Sequence, residues 1–125
     1  MEDQKHPTFG NGKICYLEIP ALDIKQSASF YQIAFGWLLR EHEDGSIAFD
    51  DSVGEVSGTW VTGRKPATEP GILISIMVDN IAKAVEMIVA NGGKLLQPFV
   101  IDISTKVASF SDPAGNVFCL YRHQS

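Results

Sequence analysis

The stretch DIKQSASFYQIAFGWLL, Asp23 to Leu39, carries the reading of the fold. Asp23 suits a helix start, because its carboxylate can accept a bond from one of the free backbone N–H groups there. Ala28, Tyr31, Ala34 and Phe35 then recur at three- and four-residue spacing, the stripe that a helix over Ile24 to Phe35 would bury. Gly36 stands where a left-handed residue ends such a helix. The stretch returns as DNIAKAVEMIVANGGKL, Asp79 to Leu95. An offset of 56 aligns Asp23 with Asp79, Ala28 with Ala84, Ala34 with Ala90, Gly36 with Gly92 and Leu39 with Leu95. Near the end of each half the offset becomes 61, and Phe49, Asp51, Gly54 and Val56 fall on Phe110, Asp112, Gly115 and Val117. Two such sets in the same order mark an internal repeat.

Each helical stretch is preceded by one strand-like run and followed by three. Residues 13–20 read as a strand ended by Pro20, and short alternating runs from Trp37 to Thr62 read as a three-stranded antiparallel meander. Residues 63–71, rich in breakers, form a linker. Ile72 to Val78 is then a strand, Asp79 or Asn80 caps a helix over Ile81 to Ala90 with Ile81, Val85, Ile88 and Val89 on one face, and three strands fill Lys94 to Tyr121. The expectation is one α+β domain over residues 1–125, built from two tandem βαβββ modules at about 13–62 and 72–123. Their curved mixed sheets would enclose a cleft, with the helices outside.

Composition narrows the function classes. A formal charge of −5 and the lack of a Lys/Arg run speak against nucleic acid, whose phosphates would be repelled. Apolar runs such as Ile72 to Val78 are too short for a bilayer, and Met1 to Thr8 is polar, so the cytoplasm is the default compartment. Cys15 and Cys119 are too few for a disulfide framework and lie in apolar runs, where free cysteine acts as a small buried hydrophobe.

Phe30-Tyr31, Phe35-Gly36-Trp37, Asn91-Gly92-Gly93 and Asp112-Pro113-Ala114-Gly115-Asn116, in that order, resemble the pattern of the vicinal oxygen chelate superfamily of glyoxalases, bleomycin-resistance proteins and extradiol dioxygenases. The resemblance spans about 13 to 123, and Glu18-Ile19-Pro20 is similar to the branch related to lactoylglutathione lyase. Much of the pattern does structural work. Asp112 to Gly115 suits a turn, in which Asp accepts backbone bonds and Gly takes positive φ, and Phe30, Tyr31 and Trp37 suit a core.

The resemblance implies a divalent metal held by one side chain from the first strand and one from the last strand of each module. Carried over, these positions are Tyr16 and Leu73 on the first strands, Cys119 on a last strand and, through the offset of 61, Gly58 on the other. A phenol and a thiol cannot replace the converging carboxylates and imidazoles that such ions require. His6, His42 and His123 lie in a tail, a polar loop and the chain end. No metal and no other cofactor is expected, which argues against lactoylglutathione lyase and extradiol chemistry.

Strand alternation predicts the cleft lining. Tyr16 and Glu18 face it, with Leu17 and Ile19 toward the helix; Leu73, Ser75 and Met77 face it, with Ile74, Ile76 and Val78 on the helix; Val117, Cys119 and Tyr121 share a face, and the offset of 61 adds Trp60. Such an apolar, aromatic-walled cleft suits a small-molecule ligand, a hydrophobic or aromatic metabolite or drug. Glu18, its only predicted acid, can be a general acid or base in a metal-free isomerase or lyase, or a carboxylate that fixes module packing. Lys106 can reach an anionic group of a ligand or stand solvated. A metal-dependent glyoxalase or dioxygenase requires the register above to be wrong. The superfamily also implies a homodimer.

Overall fold

A computed structural model describes residues 6–96 and 107–122, so Lys106 and His123 fall outside the described residues. Module one comprises β1 (Tyr16–Pro20), α1 (Ile24–Phe35), β2 (Leu38–Glu41), β3 (Ile47–Asp50) and β4 (Ser57–Val61). Module two comprises β5 (Ser75–Val78), α2 (Ile81–Ala90), β6 (Lys94–Leu95), β7 (Val107–Ser111) and β8 (Val117–Arg122). The two four-stranded sheets have the orders β1-β4-β3-β2 and β5-β8-β7-β6. In each, the first strand runs parallel to the last and the meander is antiparallel. The α+β fold of two βαβββ modules is the one the repeat predicts.

Both helices begin and end where the sequence signals place them. Oδ1 of Asp23 accepts from the Gln26 N–H at 3.1 Å, and Asn80, rather than Asp79, caps α2 by accepting from the Lys83 N–H at 3.0 Å. Gly36 ends α1 at φ 73°. The buried faces are rotated from the expected stripes. Helix α1 buries Ser27, Ala28, Phe30 and Tyr31, while Ala34 and Phe35 are only partly buried. Helix α2 buries Ile81, Ala84 and Ile88 and leaves Val89 exposed.

The rotation follows from how the modules meet. Helix α1 contacts α2 as well as its own sheet, and Phe30 and Tyr31 lie beside Phe110 and Phe118 of the other module. The helix-bearing sides of both sheets thus feed one core, in which Tyr31, Phe49, Phe110 and Leu120 are fully buried. The opposite face of each sheet is left open by the described residues.

A buried polar knot ties the halves together. Asp112 Oδ1 accepts from the backbone N–H groups of Ala114, Gly115 and Asn116, the turn expected from this motif. Its Oδ2 accepts from the Tyr31 hydroxyl at 2.7 Å and from the Asn116 amide at 2.9 Å. Asn116 also donates to the Pro20 carbonyl and accepts from the Ala67 N–H, which joins module one, the linker and module two. Burial pushes the Tyr31 hydroxyl well above its ordinary pKa, and the charge and hydrogen bond of Asp112 add to the effect. Of the two free cysteines, Cys119 is buried and Cys15 is exposed, because β1 starts only at Tyr16 and leaves Cys15 on the approach to it.

Candidate functional site

Alternation in β1 turns Ile19 into the core and packs Leu17 against it, while Tyr16 and Glu18 stand on the open face. In module two, Ile76 and Val78 pack on the core and Ser75 and Met77 stand opposite, with Leu73 exposed just before the strand. In β8, Phe118 and Leu120 are core residues, which leaves Cys119 and Tyr121 on the open side; Cys119 pairs with Ser75 and Tyr121 with Met77. The large side chains there, Tyr16, Leu73, Met77 and Tyr121, are 40% to 63% exposed in the chain by itself.

Trp60 does not stand with them. It is 2% exposed, pairs with Ile19 of β1 and packs on Tyr31, Trp37 and Phe49. Gly58 also faces the core, where an added Cβ would meet the Leu17 carbonyl oxygen and the Phe49 ring. The physical reason is one extra residue in a turn. In module one the Asp51 N–H bonds the Val56 carbonyl, whereas in module two the Asp112 N–H bonds that of Asn116. Past this turn the modules correspond at an offset of 60, so Trp60 matches Leu120 and Thr59 matches Cys119. A slip of one residue turns every following side chain to the other face. On the open face of β4 the residue beside Glu18 is therefore Thr59 and not Gly58.

The open face of the first sheet is more polar than the sequence suggests. Arg40 donates to Asp50 at 2.5 Å, and Ser57 donates to the other oxygen of Asp50 at 2.7 Å. The Ser57 bond, with the Arg40 guanidinium, holds the Asp50 carboxyl below its ordinary pKa despite some desolvation. Glu18, its side chain 45% exposed, pairs with Arg64 of the linker at 2.6 Å. That partner belongs to the linker, whose path strand alternation does not report. Among the described residues, no group of three His, Cys, Asp or Glu side chains is placed to hold a metal ion. His6 bonds Glu55 at 2.6 Å, and His42 is exposed in the β2–β3 turn.

A second feature lies on the helix side of the sheets. A groove of about 850 Å³ runs between module one and the β5–α2 edge of module two. Leu17, Phe35, Trp37, Phe49, Ile76 and Phe118 form its apolar floor, and Asp51, Ser52, Asp79, Asn80 and Lys83 border it. Only Ser75 and Met77 belong both to this groove and to the predicted cleft lining. No local sequence signal points to the groove, since it exists only through the packing of one module on the other.

Comparison with known proteins agrees with this architecture. The sequence profile of the Glyoxalase/Bleomycin resistance protein/Dioxygenase superfamily matches residues 13–120. A "Glyoxylase-like domain-containing protein" of Didymella fabae is 29% identical over 120 residues, covering 88% of this chain and 93% of that protein. The fosfomycin resistance protein FosX of Listeria monocytogenes superposes with a TM-score of 0.71 at 14% identity, over 90% of this chain and 92% of its own. A glyoxalase/bleomycin resistance protein/dioxygenase family enzyme of Burkholderia phytofirmans gives 0.68 at 20% identity, over 86% and 95%. Two open-edged βαβββ modules define the class of fold. The chain belongs to the glyoxalase/bleomycin resistance protein/dioxygenase superfamily.

Proposed function

We propose that this protein binds a hydrophobic or aromatic small molecule on the open strand faces, without a resident metal ion. One observation supports the reading: Thr59 pairs with Glu18 and Cys119 with Ser75, and together with Tyr16 and Leu73 they stand for the four positions where the superfamily resemblance implies metal ligands. One thiol, one phenol and one hydroxyl with an alkyl group do not make a donor set for a divalent cation. Leu73, Met77 and Tyr121 supply an apolar wall in module two, and Tyr16 with the Glu18–Arg64 pair supplies an aromatic and polar wall in module one. A flat apolar ligand with one polar group suits such walls. The protein is then a cytoplasmic binder, and Glu18, ion-paired and solvated, has a positioning role toward Arg64 rather than an acid–base role.

A thermal-shift screen of aromatic and apolar metabolites tests the proposal. A ligand at a hundred times its Kd stabilises the folded state by about 2.7 kcal/mol, a rise of several degrees in Tm. Tyr121→Ala and Tyr16→Ala should each abolish that rise. Equilibration with nickel, zinc, iron or manganese, followed by desalting, should leave far less than one equivalent per chain. One tightly held equivalent overturns the reading.

A further inference from the structure

The groove on the helix side shares only Met77 with the walls of that reading, and its chemistry is different. We propose that it is a separate binding site for a hydrophobic amine, a molecule with an unbranched apolar tail and one ammonium head.

Its origin lies in a difference between the two helices. Toward the opposite module α1 presents Phe30, Tyr31 and Phe35, which reach Phe110 and Phe118 and close the space between them. On α2 the groove-lining residues are Lys83, Ala84 and Met87, and the space before Leu17, Trp37 and Phe49 stays open. At about 850 Å³ the groove lies within the range of roughly 300–1,000 Å³ typical of small-molecule sites. Among the described residues, its floor offers no charged or amide side chain, so a ligand segment lying there must be apolar.

The border sets the head group. Among the described residues, Asp51 and Asp79 oppose one ammonium, that of Lys83, which leaves this part of the border negative. The Trp37 and Phe49 rings, stacked on each other 4.5 Å apart and almost wholly buried, add apolar surface to the floor, which has nothing to offer a carboxylate. A primary amine is protonated at neutral pH. It can lay its tail on the floor and its head among the carboxylates. Met87 and Met77, flexible and polarizable, can adapt the walls to tails of different width.

Titration calorimetry and tryptophan fluorescence with octylamine, decylamine, decanol and decanoate, all below their micellar concentrations, test the proposal. One amine should bind per chain, about fourfold more tightly per added methylene, in the order decylamine, decanol, decanoate. Met87→Trp fills the groove and should weaken decylamine at least tenfold. Ile33→Trp, at an exposed lining position, should do the same without the risk of an unfolded core. Asp79→Asn should narrow the gap between decylamine and decanol. Tyr16→Ala and Tyr121→Ala should leave amine binding unchanged, so failure of the open-face reading and failure of this one are distinguishable. The proposal is overturned by a flat chain-length series, by preference for decanoate, by unchanged affinity in both filled variants, or by loss of amine binding in the Tyr16 and Tyr121 variants.

Discussion

At the scale of single residues, the chain places most of its buried polar chemistry at Asp112. Five donors converge on one carboxylate, among them the Tyr31 hydroxyl, which belongs to the other module. An amide in its place presents an NH₂ group to donors that need an acceptor. Asp112→Asn should therefore destabilise the fold by about 3 kcal/mol in urea melts. Tyr31→Phe removes one donor and leaves Oδ2 still bonded to Asn116, so its cost should be nearer about 1.5 kcal/mol. The tyrosine also predicts a pH effect. Its folded pKa lies above the ordinary 10.0, so the folded state keeps a proton that the unfolded state loses. The contribution of Tyr31 is full below pH 10 and falls as pH rises beyond it. Stability measured from pH 9 to 11 should decline more steeply in the natural protein than in Tyr31→Phe. Equal slopes would show that the Tyr31 hydroxyl does not titrate with unfolding.

At the scale of elements, the helices were legible and one strand face was not. Caps and three- and four-residue spacing are local properties, so Ile24 to Phe35 and Ile81 to Ala90 could be read directly. The orientation of β4 depends on how many residues the turn before it contains, which an offset measured upstream does not report. For that reason the offset of 61 turns Trp60 and Gly58 to the wrong face. The partner of Glu18 was hidden differently, since Arg64 sits in an aperiodic linker whose path only the folded chain reveals. Gly58 gives the corrected register a direct test. A Cβ there would lie 2.2 Å from the Leu17 carbonyl oxygen and 2.5 Å from the Phe49 ring, both closer than atoms can approach. Gly58→Ala should cost about 3 kcal/mol or prevent folding. Gly63→Ala, with open space at its Cβ but φ of 88°, is a control that carries backbone strain alone and should cost about 1 kcal/mol. If Gly58→Ala cost no more than the control, β4 would have to face the other way.

At the scale of the whole molecule, the described residues close one core and leave two sheet faces uncovered. Phe30, Tyr31, Phe110 and Phe118 join the helix-bearing sides of the modules, while Tyr16, Leu38, Leu73, Met77 and Tyr121 remain exposed on the other sides or beside them. Clusters of exposed apolar side chains are uncommon on a protein that works alone and mark surfaces that meet a partner. Among the described residues, the first strand of each sheet is also an edge with no neighbour on one side, a second feature that invites a partner chain. A second copy of this chain would meet both needs and would complete the ligand walls proposed above. Sedimentation equilibrium should then give a mass near twice that of one chain, and Tm should rise with protein concentration, because association stabilises only the folded form. Tyr121→Glu sets a carboxylate on the open face without touching Leu120 or the core beneath it. It should shift the equilibrium to the single chain, remove the concentration dependence of Tm and weaken any open-face ligand by tenfold or more, while decylamine binding in the helix-side groove persists. A natural protein that sediments as a single chain at high concentration would mean that one copy alone supplies whatever covers these faces.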